Sequence, residues 1–179
     1  AALAAGEDEL YIGIVNYDVN SANGQQRELG FRQTVEQDPR VKDITTINVL
    51  STTEDARAGA KEMLLSDSRI NVVVTFNEWT RPGVGWAIRD LNRADRIQVV
   101  AFDSNVVSVG MLETGEVDAL IVQNPYAMGY LGVETAANLM NGQTGGPNGG
   151  DTATTIVTRE NMYEPESQKI LFSFEEEGY

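Results

Sequence analysis

The sequence predicts an α/β fold, doubly wound around a largely parallel sheet with helices on both faces. Three observations carry this. Runs rich in Val and Ile recur at 11–15, 44–50, 70–76, 97–102, 119–122 and 154–157. Most of the segments between them have helical period, and strands alternating with helices form parallel sheets covered on both faces. Most of the runs also stop at polar side chains, at the sheet edge where such folds bind ligands.

Taken in order, the start "AALAAGEDELYIGIV" reads as the last turn of a helix, a Gly-centred stop and the first strand. No signal peptide is visible there, and the chain is expected to begin inside a larger protein, whether processed, fragmentary or designed. After the second run, Ser51-Thr52-Thr53-Glu54 has capping-box spacing ahead of Ala56, Ala60, Met63 and Leu64. After the fifth run, Asn124 can cap a helix and Pro125 suits its first position. The stripe Tyr126, Tyr130, Val133, Ala137 and Met140 then keeps steps of four and three until Asn141-Gly142 ends it. The Gly-rich stretch "NGQTGGPNGGDT" suits a flexible connection. The sequence thus divides into an α/β unit at 10–123 and 152–161, a helix at 124–141, a Gly-rich linker at 142–151 and a tail at 162–179.

Composition narrows the function. With 179 residues the chain is long enough for one domain with a substantial core. Its 13 basic and 27 acidic residues give a formal net charge of -14, opposed to the basic footprint of a nucleic-acid-binding protein. Cysteine and histidine are both absent, so thiolate metal sites, disulfides and the commonest general base are excluded. No window approaches the roughly 18 unbroken apolar residues of a membrane span.

The strand ends supply the candidate site. The runs break into Asn16-Tyr17-Asp18, Ser51-Thr52, Asn77-Glu78-Trp79, Asp103-Ser104 and Gln123-Asn124. Asn, Asp, Ser and Thr at such places also serve as helix caps, and Asn77 and Gln123 fit that account least well, since each directly follows the last strand residue. Amides and a carboxylate beside an aromatic ring suit a polyhydroxylated ligand, whose hydroxyls need donors and acceptors and whose apolar face packs on a ring. Tyr17 and Trp79 are the aromatic candidates, each equally well explained by ordinary packing.

Other motifs lead nowhere. "GVGWAI" is a partial G-x-G-x-x-G whose third glycine is Ile88, better explained as a helix start packed closely through small residues, so no dinucleotide or other cofactor is expected. The P-loop and G-x-S-x-G patterns are missing, "FDSN" lacks a second aspartate, and a Ca²⁺ loop signature is absent. An enzyme here would work through carboxylates alone. Non-enzymatic binding is the expected function.

Several spaced segments, "YIGIVNYDVNSANGQQRELGF", "INVVVTFNEWTRPGVGWAIRDL", "ETGEVDALIVQNPYAMGYLGVE" and "TTIVTRENMY", follow one another across residues 10–163 in an order that resembles the type I periplasmic sugar-binding proteins, the ribose- and galactose-binding class. The resemblance implies two α/β lobes closing on a sugar, of which this sequence matches the carboxyl-terminal one. It implies an extracytoplasmic protein delivering its ligand to the membrane permease of an ABC transporter or to a sensor. It implies ligand contacts at Asn77, Asp103 and Gln123, the last beside a hinge. It also implies that helix 125–141 packs on the amino-terminal lobe, and without that lobe an altered packing or a homodimer through this helix is expected. Two positions depart from the family pattern: Gln25 stands where many members carry arginine, and Thr52 where they often carry an aromatic. An effector-binding domain of a lactose-repressor-type regulator shares the fold and is the alternative, and a carboxylate-based enzyme is a third.

Overall fold

The structure, a computed structural model, describes residues 8–143 and 152–172. The readings of 1–7 as a helix end, of most of the Gly-rich linker and of the last residues of the tail lie outside them. The elements are β1 (Leu10–Tyr17), α1 (Ala22–Val35), β2 (Val41–Val49), α2 (Thr53–Ser66), β3 (Val72–Thr75), α3 (Thr80–Asp90), β4 (Gln98–Phe102), α4 (Val106–Thr114), β5 (Ala119–Val122), α5 (Pro125–Met140), β6 (Thr155–Thr158) and α6 (Pro165–Leu171). The strands form one sheet in the order β2-β1-β3-β4-β5-β6. Every pairing is parallel except that of β5 with β6. Each predicted apolar run overlaps one of these strands.

Strand alternation assigns residues to the two faces. Val15, Val73, Val99, Leu120 and Val122 point to a core built with Ala56, Ala60, Met63 and Leu64 of α2, Val84, Ala87 and Ile88 of α3, and Met111 and Leu112 of α4. Leu171 at the end of α6 joins this core. Ile12, Ile14, Val72, Val74 and Phe76 point the other way, where Phe31 and Val35 of α1 meet them. Because α1 covers that face alone among the described helices, a groove of about 1090 Å³ remains beside it over Val74, Val100, Phe102 and Ile121.

The cap of α2 lies one residue beyond the predicted Ser51–Glu54 box. The Thr52 hydroxyl accepts from the Asp55 amide at 3.2 Å, and the Asp55 carboxylate accepts from the Leu50 amide at 2.5 Å. The choice follows the burial stripe: this register places Ala56, Ala60, Met63 and Leu64 inward. "GVGWAI" is a site of close packing. A Cβ on Gly83 would lie 2.3 Å from the Thr53 carbonyl and 2.7 Å from the Arg57 amide, so only glycine lets α3 approach the backbone of α2.

Helix α1 is anchored by a half-buried polar knot rather than by a long apolar stripe. The Glu28 carboxylate accepts from Asn16 Nδ2 at 2.8 Å, Thr46 Oγ1 at 2.8 Å and Arg32 Nε at 2.9 Å, which ties α1 to β1 and β2. Burial pushes this carboxyl up, but the bonds from Thr46, Asn16 and Arg32 outweigh it and hold it below its ordinary value.

Two outcomes follow from these contacts. Gly83→Ala should lower unfolding free energy by about 1–3 kcal/mol in urea titration, because the neighbours it meets are backbone atoms that cannot yield. Gly85→Ala should be nearly neutral: it meets only the flexible end of Met111, and helical alanine recovers about 1 kcal/mol over glycine. Separately, a carboxyl with a depressed folded-state pKa stabilises above its ordinary value of 4.5 and loses that contribution as pH falls through the folded value. The wild type should therefore exceed Glu28→Gln in Tm at pH 7, and the gap should shrink as pH drops below 4.5; a constant gap between pH 7 and pH 3 contradicts it.

Candidate ligand-binding site

The carboxyl ends of β1, β3, β4 and β5 share one edge of the sheet, and the polar breaks of the sequence meet there. Asp103, directly after β4, is its centre. Its amide continues the ladder to the Ile121 carbonyl at 2.9 Å, after which the chain turns through φ +64°, a left-handed conformation uncommon outside glycine. The turn brings the half-buried carboxylate between two donors. Gln123 Nε2, just past β5, donates to one oxygen at 2.6 Å, and Arg27 Nη1 reaches the other at 3.2 Å.

Arg27 was not singled out by sequence. It extends from α1 across the strand ends, with its guanidinium 4.9 Å from the centre of the Phe102 ring, and also donates to the carbonyl of Phe76. Gln25, the position expected to have lost a family arginine, lies exposed two residues earlier and donates to the Val19 carbonyl at 2.7 Å. The site thus has an arginine, set two residues further along α1. A helix that crosses several strand ends can present a charge from more than one position, which spacing within "GQQREL" does not reveal.

Asn77 is buried beside this cluster and does act as a cap. Its Oδ1 accepts from the Thr80 amide at 2.9 Å and the Trp79 amide at 3.1 Å, opening α3, and its Nδ2 donates to Ser51 Oγ at 2.8 Å. The expectation that Asn77 fits a cap poorly failed because the chain makes a short turn before α3, which puts Asn77 three residues ahead of Thr80. One N–H of its amide remains to point elsewhere. Thr52 is occupied as the cap of α2 and lies exposed at the same edge.

The aromatic candidates separate. Trp79 is 55% exposed at the start of α3, with its carbonyl accepting from Thr53 Oγ1 at 3.1 Å, so its ring is open to a ligand. Tyr17 is half-buried and packs against the core on the α1 face. Past Gln123, Asn124 Oδ1 caps α5 by accepting from the Ala127 amide at 2.9 Å. Consecutive residues therefore hold the Asp103 carboxylate and start the next helix.

Comparison with known proteins agrees with this fold. The chain is 27% identical over 133 residues to a D-ribose/D-allose-binding protein of Pseudomonas aeruginosa, covering 74% of this chain and 41% of the relative. The solute-binding protein of a carbohydrate transporter from Agrobacterium radiobacter, solved with D-arabinose, superposes with a TM-score of 0.87 at 27% identity, over 95% of this chain and 58% of that one. A solute-binding protein of an ABC transporter from Agrobacterium vitis, bound with α-D-tagatopyranose, gives a TM-score of 0.87 at 25% identity, over 95% of this chain and 56% of that one. This chain spans about half the length of these relatives. The family model described as the periplasmic binding protein domain matches residues 1–144, and with that match, the shared fold and the motifs it resembles in sequence, the chain belongs to the periplasmic binding protein family, in its type I class.

Proposed function

We propose that this chain is the sugar-binding lobe of an extracytoplasmic solute-binding protein serving an ABC transporter or a chemosensor, with its ligand held at the sheet edge around Asp103. The observation that carries the reading is the Asp103 carboxylate turned back over the edge between Arg27 and Gln123. A carboxylate flanked by two donors offers adjacent hydroxyls an acceptor and returns donors to their oxygens, which matches a vicinal diol. The exposed Trp79 ring adds a flat apolar surface for a pyranose face, and the spare N–H of Asn77 a further donor. The sugars named for the similar proteins are ribose, allose, arabinose and tagatose, which supports a monosaccharide.

A binding protein works by differential affinity of open and closed arrangements, so a second surface must meet the ligand from the other side. Helix α5 is suited to touch such a second body. None of its residues is buried; Tyr126 is 71% and Val133 73% exposed, and the Tyr126 and Tyr130 rings stack 6.5 Å apart. An apolar stripe of this kind on one helix is an interaction surface. In the two-lobe protein it faces the amino-terminal lobe; in this chain alone it pairs with a second copy.

The reading is tested by titrating the chain with D-ribose, D-arabinose and D-tagatose and following amide shifts at the strand ends. A single lobe supplies part of the contact set, so weak binding is expected. Asp103→Ala should leave the fold intact and weaken the best sugar by about ten- to a hundredfold, the scale of about 1.5–3 kcal/mol for a charge-assisted hydrogen bond. Unchanged affinity removes Asp103 from the site. For α5, light scattering should show a concentration-dependent dimer that Tyr130→Glu converts to monomer. A monomeric wild type whose α5 amides resist hydrogen exchange would contradict that pairing.

A further inference from the structure

Arg81 is the largest wholly buried side chain among the described residues, and neither the fold nor the ligand reading has used it. It stands in the first turn of α3, beneath the strand ends. Its Nη1 donates to the Phe102 carbonyl at 2.8 Å and the Asp103 carbonyl at 2.9 Å, while Nε and Nη2 have no protein partner. Burial pushes the guanidinium down to about 10, against the pull of the Asp103 and Glu78 carboxylates.

This is a poor arrangement for stability alone. A buried cation with two unpartnered nitrogens is unfavourable, and an apolar side chain of similar length fills such space without a charge to desolvate. What the arginine does achieve lies in the backbone it grips. Asp103 is a non-glycine residue at φ +64°, and its amide is already committed to β5. Its carbonyl and the one before it are both on Arg81, so the turn is fixed on either side of its Cα. Backbone held in a disfavoured region persists where the surroundings determine it from several directions.

We propose that Arg81 is a positioning residue of the ligand site: by binding the carbonyls of Phe102 and Asp103 from below, it holds the left-handed turn that aims the Asp103 carboxylate between Arg27 and Gln123. This rests on Asp103 as the ligand's carboxylate. Arg27 works on the exposed side of the same turn, on the side chain; Arg81 works on the buried side, on the main chain.

The test uses this chain with Arg81→Met and Arg81→Lys. Three quantities are read: the three-bond coupling between the amide and α protons of Asp103 together with its Cα shift, which report its φ; stability in urea; and affinity for D-ribose, D-arabinose and D-tagatose. Arg81→Met should fold with stability equal to or above the wild type, lose the left-handed signature at Asp103 and bind the best sugar on the order of tenfold more weakly. Arg81→Lys, which keeps a donor for the carbonyls, should restore part of both the signature and the affinity. A methionine variant that keeps the Asp103 signature, or keeps the affinity, overturns the proposal. If the methionine variant does not fold, the lysine variant decides: altered coupling at Asp103 with weaker binding supports positioning, and unchanged coupling and affinity show that the arginine serves the fold alone. A wild type that answers to none of the sugars counts against the sugar reading, and the coupling at Asp103 in the two variants then judges Arg81 independently.

Discussion

The ligand edge depends on a single turn after β4. A parallel sheet brings several strand ends to one edge, but strands alone direct their last side chains up or down through the sheet rather than over it. The left-handed residue at Asp103 redirects the chain, and the groups around it are organised to sustain that redirection. Gln123 comes from the neighbouring strand, Arg27 from the opposite face and Arg81 from α3. The knot of Glu28, Asn16 and Thr46 belongs to the same arrangement, because it sets α1 on the sheet and so determines where Arg27 emerges. The knot thus bears on the proposed site through Glu28, the residue next to Arg27.

The sheet was legible in the sequence because its central strands, β1 and β3, are largely buried on both faces and its other strands also carry Val and Ile. The last turn of logic, which side chains meet, was less so. Asp103 and Gln123 were visible since each immediately follows a strand, and adjacent parallel strands bring such positions together: their side chains are bonded at 2.6 Å. Arg27 was hidden because helix position depends on how α1 lies across the sheet, which the Glu28 knot decides. Arg81 stands just ahead of the GVGWAI stretch and carries no signal of its own in the sequence. It is buried against the strand end after β4, on the carbonyls of Phe102 and Asp103, a tertiary fact that composition and spacing do not express. The cap of α2 moved from Ser51 to Thr52 for a similar reason: two overlapping polar boxes were available, and the direction of the apolar stripe chose between them.

Two apolar surfaces remain open on the described residues, and they differ in kind. The groove beside α1 is a sheet face, lined by Val74, Val100, Phe102 and Ile121 and rimmed by Arg27, Asp118 and Arg159. The α5 surface is a convex helix stripe with stacked tyrosines. A concave sheet face accepts a helix, whereas a convex stripe lies against a flat or helical partner. The difference gives them separate roles in any larger assembly; the groove meets the ligand edge at Arg27 and Phe102, and the α5 surface meets it through the chain itself.

That adjacency bears on how binding and motion would be joined. Gln123 bonds the carboxylate proposed to hold ligand, Asn124 caps α5, and Pro125 begins it, so no spacer separates the site from the helix. Pro125 fixes its own φ and restricts the residue before it. The junction between sheet and helix is therefore one restricted residue, Asn124, which stands at φ -105° and ψ 86°, outside both helix and sheet. If α5 swings with a second lobe, rotation at Asn124 has to absorb it or the amide of Gln123 moves on Asp103. A ligand that needs Gln123 in place then favours one setting of α5 over the others, and the coupling arises from chain connectivity with no relay of side chains between them.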